Sequence, residues 1–184
     1  CLYNTYPTLV YCFKTHSYPR YGLSWIVVDD RTDKIQYLID ESGIENIKYV
    51  PIEEKMTLGA KRNFMHTKSS GSIIVYFDDD DYYPPERISH AVEKLQNNKT
   101  ALCAGAREMY ISFKHIQKLI KCGTYGERHA PAGPFAFRRE FLAMPQYNET
   151  ASFAEEKEFL HGYKIPFVQL DPMTPILVFS HEHH

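Results

Sequence analysis

The stretch SIIVYFDDDDYYPPERI, residues 72–88, joins an apolar run to four consecutive aspartates and then to two prolines. Residues 72–77 are mostly β-branched or aromatic, which is typical of a buried strand. The segment PPERISHAVEKLQNN, residues 84–98, opens with proline, which is favoured in a first helical turn, and continues as an amphipathic helix. The stretch therefore predicts a strand, an acidic turn and a helix, which form one unit of an α/β fold.

Similar units precede and follow this one. LSWIVVDD, residues 23–30, is a continuous apolar run that ends in acids, the pattern of a strand buried on both faces. Further strands are predicted at residues 47–52, 101–112, 166–170 and 175–180, helices at 31–44, 57–70 and 152–163, and a short strand leading into a helix at 133–142. Strands alternating with helices over residues 1–100 predict a largely parallel sheet with helices on both faces. Because ligands bind beyond the carboxyl ends of such strands, we expect the two acid clusters to approach one another.

Composition narrows the class of protein. The 184 residues suffice for one α/β domain, and a net charge of −2 argues against a general nucleic-acid binder. The four cysteines, at positions 1, 12, 103 and 122, form no C-x-x-C pair and are interpreted as mostly buried thiols. No apolar run reaches the length of a membrane span and no signal peptide is visible, so we expect a cytoplasmic protein, although the sequence starts at Cys1 without a methionine.

The four aspartates at residues 78–81 have two interpretations. One of them, Asp81, is placed to cap the following helix. A cap requires only one carboxylate, and each additional one adds repulsion at short range. On a continuing strand Asp78 and Asp80 would point to one face and Asp79 to the other. Two carboxylates on one face suit a hard divalent cation, which would remove the repulsion, so the run favours a metal site.

Five motifs in order carry a family resemblance: VVDDRTD, LGAKRNFM, IIVYFDDDDYYPPERI, GPFAFRREFL and FAEEKEFL. Together they resemble the GT-A glycosyltransferases, and the family-2-like group in particular. The resemblance implies a single Rossmann-like GT-A domain over residues 1–184, with a mostly parallel central sheet flanked by helices. Residues 1–100 would form the nucleotide-binding half and residues 101–184 an acceptor-binding half with a smaller antiparallel portion. On this alignment CLYNTYPTL is the end of a first strand and its loop, and the domain is compatible with a longer, multidomain protein.

The resemblance also implies a donor site. The residues matched to nucleotide binding are Tyr3, Asn4, Thr5, Asp29, Asp30, Arg62, Asp78 and Asp79. Asp80 and Asp78 match the metal position of the family's D-x-D motif, with Asp79 supporting them, and the metal would be Mn²⁺ or Mg²⁺. His181, after the last strand, matches a late histidine that completes the metal shell in several relatives. The alternatives stay open: Asp29 or Asp30 as a helix cap, Lys61 as a solvated neighbour of Arg62, and His181 as part of a terminal tail.

The acid pair Glu155 and Glu156 occupies the place of the family's E-D motif. In inverting members one acid there is the general base that takes the proton of the acceptor hydroxyl, and we assign that role to Glu156, with Glu155 next. Replacement of Asp by Glu moves the carboxylate by one methylene. A structural alternative is that acids at this position stabilise a helix N-terminus through its dipole.

The function expected from the sequence is a hexosyl- or deoxyhexosyltransferase that uses a nucleoside-diphosphate sugar, with UDP as the expected nucleotide, and a glycan or other hydroxyl acceptor. Two alternatives remain. A metal-dependent phosphohydrolase would also cluster acids at strand ends, and a non-catalytic module of the same fold would bind sugar nucleotides without turnover. Retention of Glu155 and Glu156 favours an active enzyme over such a module.

Overall fold

The computed structural model describes residues 6–144, 147–150 and 155–180. Within these residues the helices are α1 (Tyr6–Thr15), α2 (Gln36–Ser42), α3 (Leu58–Lys68), α4 (Arg87–Asn97) and α5 (Glu155–Phe159). The strands are β1 (Trp25–Asp29), β2 (Ile47–Pro51), β3 (Ile73–Val75), β4 (Cys103–Gly105), β5 (Met109–Phe113), β6 (Lys118–Cys122), β7 (Ala136–Arg138), β8 (Phe167–Gln169) and β9 (Leu177–Ser180). A 3-10 helix, Arg139–Ala143, follows β7. In this part of the chain no helix is both long and apolar enough to cross a membrane.

The strands form three hydrogen-bonded sheets within the described residues. β1 and β2 pair in parallel, from Trp25 opposite Ile47 to Asp29 opposite Pro51. A second sheet has the order β3-β7-β4-β8, and a third has the order β6-β5-β9. The fold is thus mixed α/β, as the sequence predicts, with helices packed on its sheets.

The sheet arrangement differs in detail from the expected largely parallel one. After β4 the chain forms the β5–β6 hairpin and then re-enters between β3 and β4 as β7, which is antiparallel to both. Parallel pairing is retained between β1 and β2, between β4 and β8, and between β5 and β9. The hairpin and β9 form the smaller, partly antiparallel portion that was expected in the second half.

Several predicted boundaries are wrong. The strand predicted at 101–112 is two strands, β4 and β5, in different sheets. Residues 6–9, expected in the loop after a first strand, belong to α1, and β6 lies in a segment for which no strand was predicted. The strand predicted at 72–77 ends at Val75, so Asp79 and Asp80 lie in a turn. The strict alternation expected for Asp78, Asp79 and Asp80 therefore does not apply.

The main core is aromatic and lies between the β3-β7-β4-β8 sheet and α5. Phe135, Phe137 and Phe159 are fully buried, and Phe141 is 1% exposed. Their rings meet mostly edge to face, an arrangement that stabilises aromatic clusters beyond the burial of area. A second cluster of small side chains, including Ala91, Ala104 and Ala136, lets α4 approach the same sheet closely. The sheet and its two helical layers fix the loops that carry the acids.

Candidate active site

One cleft between β1 and β3 collects five of the sequence-predicted nucleotide-site residues. It has a volume of about 320 Å³, and its lining includes Asp29, Asp30, Arg62, Asp78 and Asp79. The two acid clusters follow β1 and β3 at their carboxyl ends, where an α/β fold places its ligands. The expectation that the fold brings the two clusters to one site therefore agrees with the lining of this cleft.

Asp29 is held by hydrogen bonds from its surroundings. Its carboxylate accepts hydrogen bonds from the Tyr49 hydroxyl (2.7 Å), the Ile35 amide (2.9 Å) and the Arg31 amide (3.0 Å). Burial raises the pKa of Asp29, but these hydrogen bonds outweigh it, and the net pKa is lowered. The Ile35 contact fixes the approach to α2, so part of the Asp29 carboxylate serves the fold.

Asp30 faces a cation on α3. Nζ of Lys61 lies 2.6 Å from its Oδ1, and the Met56 amide donates to its Oδ2 at 3.1 Å. Burial raises the pKa of Asp30 and these partners lower it, with a net lowering. Lys61 is thus an ion-pair partner of Asp30 and not the solvated neighbour considered from the sequence. Lys61 and Arg62, which are both on α3, also both line the cleft.

Arg62 is a buried cation, with only 4% of its surface exposed. Its guanidinium lies 5.3 Å from the ring of Tyr76 and 5.2 Å from the ring of Tyr147, within cation–π range. Its charge is the largest of those that lower the pKa of Asp78. α3 places it there because Gly59, one turn earlier, packs against the backbone of Asn148. Arg62 therefore connects the aromatic core with the acidic turn.

The four aspartates share a single acidic turn but have different surroundings. Burial raises the pKa of Asp78, and the charges of Asp80 and Asp79 add to that rise. Asp79 forms an ion pair with Arg31, which follows β1, and so links the two acid clusters. Asp81 is 6% exposed and accepts a hydrogen bond from the Phe179 amide (2.9 Å). Burial, followed by the charges of the neighbouring aspartates, raises the pKa of Asp81 to about 7.

Asp81 does not cap α4, which is the role considered for it from the sequence. The residue before α4 is Glu86, and no side chain caps that helix. Asp81 instead binds β9, and the backbones of Tyr82 and Leu177 exchange two hydrogen bonds of 3.0 and 2.8 Å. These contacts hold the acidic turn against the strand that precedes position 181.

Arg87 supplies a second buried cation behind the turn. It is 1% exposed, and its Nη2 donates to the carbonyl oxygens of Phe135 (2.8 Å) and Tyr76 (3.3 Å). Nε and Nη1 have no hydrogen-bond partner among the described residues. The sequence analysis missed this role, because Arg87 reads as an ordinary polar residue in the first turn of α4.

A loop joins the acidic turn to the candidate base. A Cβ built on Gly133 would lie 3.1 Å from Oδ2 of Asp78, so this glycine packs directly against the carboxylate. Four residues earlier in the loop is His129, whose pKa is lowered by burial against a smaller upward influence of the Glu156 charge. Glu156 is half-buried in α5, and the fully buried Phe159 and Leu160 anchor that helix. The four residues from His129 to Gly133 span at most about 14 Å, so the Cα atoms of these two residues lie no farther apart than that.

Other predicted site residues cannot be placed. Tyr3, Asn4, Thr5 and His181 lie outside the described residues. Glu155 begins α5, but its side chain also lies outside what the structure describes. Asp80 lies in the acidic turn and is half-buried. Its charge raises the pKa of both neighbouring acids, Asp78 and Asp81, which places it close to them.

The acidic turn is the candidate site for a divalent cation. Residues 6–144, 147–150 and 155–180 contain no group of three or more His, Cys, Asp or Glu side chains arranged to hold a metal ion. The acidic turn nevertheless carries mutually repelling carboxylates, two of which have raised pKa values. Oxygen ligands of this kind fit Mn²⁺ or Mg²⁺, both of which accept remaining ligands from a diphosphate. The chemistry of the turn therefore fits a cation that is bound together with its nucleotide.

The arrangement of helices and sheets is that of an α/β protein with a GT-A fold. A sequence profile described as glycosyl transferase family 2 matches residues 1–155, most of the chain. The chain therefore belongs to glycosyl transferase family 2. No curated protein matches it at a significant level of sequence similarity.

Solved structures share the fold. The chain superposes on S. aureus TarS 1-349 in complex with UDP-GlcNAc with a TM-score of 0.68 and 17% identity, covering 99% of this chain and 57% of that one. GalNAc-T7 with UDP, GalNAc and Mn²⁺ gives a TM-score of 0.73 and 13% identity, covering 95% and 41%. The mannosyltransferase PcManGT from Pyrobaculum calidifontis, in complex with GDP-Man and Mn²⁺, gives 0.69 and 16%, covering 98% and 55%.

This chain is shorter than the solved structures on which it superposes. The chain spans 57% of TarS 1-349 and 35% of the longer TarS structure. At 13–17% identity the superpositions establish the GT-A fold.

Proposed function

We propose that this chain is a metal-dependent glycosyltransferase that moves a sugar from a UDP-sugar to a hydroxyl of a glycan or other acceptor. The observation that carries the proposal is that Asp29, Asp30, Arg62, Asp78 and Asp79 contribute to the lining of one cleft. Acids in such a cleft accept hydrogen bonds from a base and a ribose, and the cations bind phosphate oxygens. The UDP and Mn²⁺ in the complexes of TarS and GalNAc-T7 support this choice of donor and metal.

Asp30 and Arg62 bind the nucleotide in the proposed complex. Asp30 has two cationic partners, Lys61 and the more distant Lys55, and the Arg62 guanidinium lies over two tyrosine rings. A guanidinium that is already immobilised loses little conformational entropy when it binds a phosphate. Asp29 is largely occupied by Tyr49 and Ile35, so its proposed contribution is to hold the shape of the nucleotide loop.

Asp78 and Asp80 hold the cation, with Asp79 in support and His181 as a further proposed ligand. The bound cation would neutralise charge on the departing diphosphate. Arg62 and Arg87 limit the repulsion among the aspartates by placing positive charge next to Asp78. The charges of the aspartates and of Arg62 and Arg87 would thus be fully compensated only when the cation and the diphosphate are both bound.

Glu156 is the proposed general base, and Glu155 is the second candidate. Glu156 lies on α5, a helix anchored by two fully buried side chains, so its position is fixed relative to the core. In the proposed step its carboxylate accepts the proton of the acceptor hydroxyl while that oxygen forms a bond to the sugar and the bond to the diphosphate breaks. The negative charge on the leaving diphosphate is the charge that the basic side of the cleft stabilises.

The test is release of UDP from a panel of UDP-, GDP- and dTDP-sugars, with Mn²⁺ or with EDTA, and with and without acceptor. We expect release that needs both metal and acceptor. Asp80→Ala should abolish metal-dependent donor binding, while Asp40→Ala, an exposed acid on α2, should retain it. Normal Mn²⁺-dependent turnover by Asp80→Ala would contradict the metal assignment.

A second pair of variants tests the base. Glu156→Gln should bind UDP normally and lose transfer, while the exposed neighbour Glu158→Gln should keep both. Loss of UDP binding together with transfer in Glu156→Gln would point to a folding role. Cleavage of simple phosphodiesters would indicate a hydrolase, and tight UDP binding without turnover of any donor would indicate a binding module.

A further inference from the structure

Three aromatic side chains form a ladder beside the candidate base. The ring of His129 lies 4.3 Å from that of Tyr163 and 4.6 Å from that of Tyr125, at interplanar angles of 28° and 37°. Tyr163 packs against the main aromatic core, His129 is half-buried, and 36% of Tyr125 is exposed. The ladder thus leads from the core to the surface and ends in an open ring.

The ladder adjoins the site where transfer is proposed. Tyr163 follows α5, the helix that carries Glu156, and His129 stacks on Tyr163. Burial lowers the pKa of His129 below its ordinary value, against a smaller upward influence of the Glu156 charge, and so favours the neutral imidazole. Burial, and after it the charge of Glu156, raises the pKa of Tyr163. A neutral imidazole does not compete with a substrate by forming a salt bridge to Glu156.

The segment that carries the outer rings is held firmly. Nε2 of Gln169, the last residue of β8, donates to the carbonyl oxygens of Glu127 (2.7 Å) and His129 (3.3 Å), and its Oε1 accepts from the Arg107 amide (2.8 Å). The Tyr125 amide donates to the Arg107 carbonyl oxygen at 2.9 Å. A surface aromatic side chain on a backbone with this many hydrogen bonds is preorganised for a ligand.

The inner ring is held at a conformational cost. Tyr163 has a φ of 63° and His161 a φ of 50°, in the left-handed region that residues other than glycine seldom adopt. The surrounding contacts must offset that cost, which is of order 1 kcal/mol for each residue. Strain of this kind concentrates at functional sites, and here it fixes the ring on which the other two stack.

We propose that the ladder Tyr125–His129–Tyr163 is the acceptor subsite, and that it takes a pyranose ring of a glycan against the open face of Tyr125. The apolar C–H face of a pyranose fits an aromatic ring, while its hydroxyls remain free to approach Glu156. The inference rests on the proposed function and adds to it a class of acceptor: a sugar and not a simple alcohol.

The experiment compares ring and ringless acceptors. The acceptors are methyl glucopyranosides, galactopyranosides and N-acetylglucosaminides, with glycerol as the hydroxyl acceptor without a ring. For Tyr125→Ala we expect KM for the preferred pyranoside to rise about three- to tenfold, the range expected for loss of one aromatic contact. KM for glycerol and for the UDP-sugar should stay within twofold of the unsubstituted chain.

Control variants separate a binding role from a structural one. Tyr125→Phe retains the ring and should restore the pyranoside KM, and Tyr21→Ala, at a tyrosine that is 94% exposed, should change nothing. Equal effects of Tyr125→Ala on glycerol and pyranosides, or no effect on either, would overturn the proposal. An increase in the donor KM alone would assign the ladder to the donor sugar and overturn it as well.

Direct binding distinguishes failure of this inference from failure of the proposed function. Saturation-transfer NMR with the same methyl pyranosides, in the presence of UDP and Mn²⁺, reports contact with the sugar without turnover. Pyranoside binding that is lost in Tyr125→Ala, in a chain that releases no UDP from any donor, would support the ladder and contradict the transferase. Sugar transfer without pyranoside contact at Tyr125 would support the transferase and contradict the ladder.

Discussion

The backbone amide of Phe179 donates a hydrogen bond of 2.9 Å to Oδ1 of Asp81, which joins the last strand to the acidic turn. The adjacent bridge between Tyr82 and Leu177 reinforces this link with two backbone hydrogen bonds. β9 therefore fixes the position of the acidic turn on the third sheet.

The buried Asp81 carboxyl makes the metal-free chain sensitive to pH. Its pKa in the folded chain is about 7, above the ordinary 3.8, so the stability linked to its proton is complete below pH 3.8 and is lost as the pH rises through 7. We expect thermal unfolding without metal to occur at lower temperature at pH 8 than at pH 5. Asp81→Asn keeps an oxygen for the Phe179 amide and removes the charge, so at pH 8 it should stabilise the metal-free fold by about 1–3 kcal/mol. A variant that is less stable than the original chain at pH 8 would contradict this.

Gly133 gives the acidic turn its space. A Cβ at this position would lie 3.1 Å from Oδ2 of Asp78 and 3.1 Å from Cδ1 of Ile176, tighter than ordinary contact. Gly133→Ala should therefore displace the Asp78 carboxylate and weaken Mn²⁺-dependent UDP binding about tenfold, a loss of about 1.4 kcal/mol. In the same loop Gly126→Ala meets only the Cβ of His129, at 3.9 Å, and should bind normally. Isothermal titration of both variants with UDP and Mn²⁺ checks this, and equal affinities would refute it.

Arg87 and Asp78 should be energetically coupled. The buried guanidinium lowers the pKa of Asp78, although burial of that carboxyl is the larger influence and raises it. Removal of Asp78 leaves the Arg87 guanidinium buried without this counter-charge, and removal of Arg87 leaves the half-buried Asp78 without it, while removal of both leaves neither charge. A double-mutant cycle with Arg87→Met and Asp78→Asn, measured by urea unfolding at pH 7, should give a coupling of about 1–3 kcal/mol. The same cycle with Asp79→Asn, whose side chain is 52% exposed, should give a smaller one; coupling of equal size would indicate a general effect of charge.

The sequence predicts most of the elements because their signals are local. The apolar run at residues 23–30 and the proline at the start of the α4 region depend only on neighbouring residues, and strand β1 and helix α4 lie where these signals place them. The order of the strands is not local. β7 lies between β3 and β4 because of pairing across about thirty to sixty residues, and no short pattern encodes its direction. The end of β3 at Val75 depends on the same pairing.

The candidate site was predicted unevenly for a similar reason. Acid runs at strand ends stand out in a sequence, and Asp29, Asp30, Asp78 and Asp79 do line one cleft. Their partners do not stand out: Lys61, Arg87 and Tyr49 are ordinary residues until the fold places them against a carboxylate. The aromatic ladder is likewise invisible, since Tyr125 and Tyr163 are separated along the chain and meet only through His129.

Phe159 should determine the position of the candidate base. Its ring is fully buried and stacks on Tyr147 with centroids 4.2 Å apart and an interplanar angle of 2°. Phe159→Ala leaves a cavity beneath α5, so we expect a loss of about 3–5 kcal/mol in the free energy of unfolding, measured with urea. Leu119→Ala, at an apolar residue of β6 that is 63% exposed, is the matched control and should cost less than about 1 kcal/mol. Because α5 also carries Glu156, Phe159→Ala at a temperature where it remains folded should lose acceptor-dependent transfer more than UDP binding. Equal losses of the two would show that α5 supports the nucleotide cleft as well as the base.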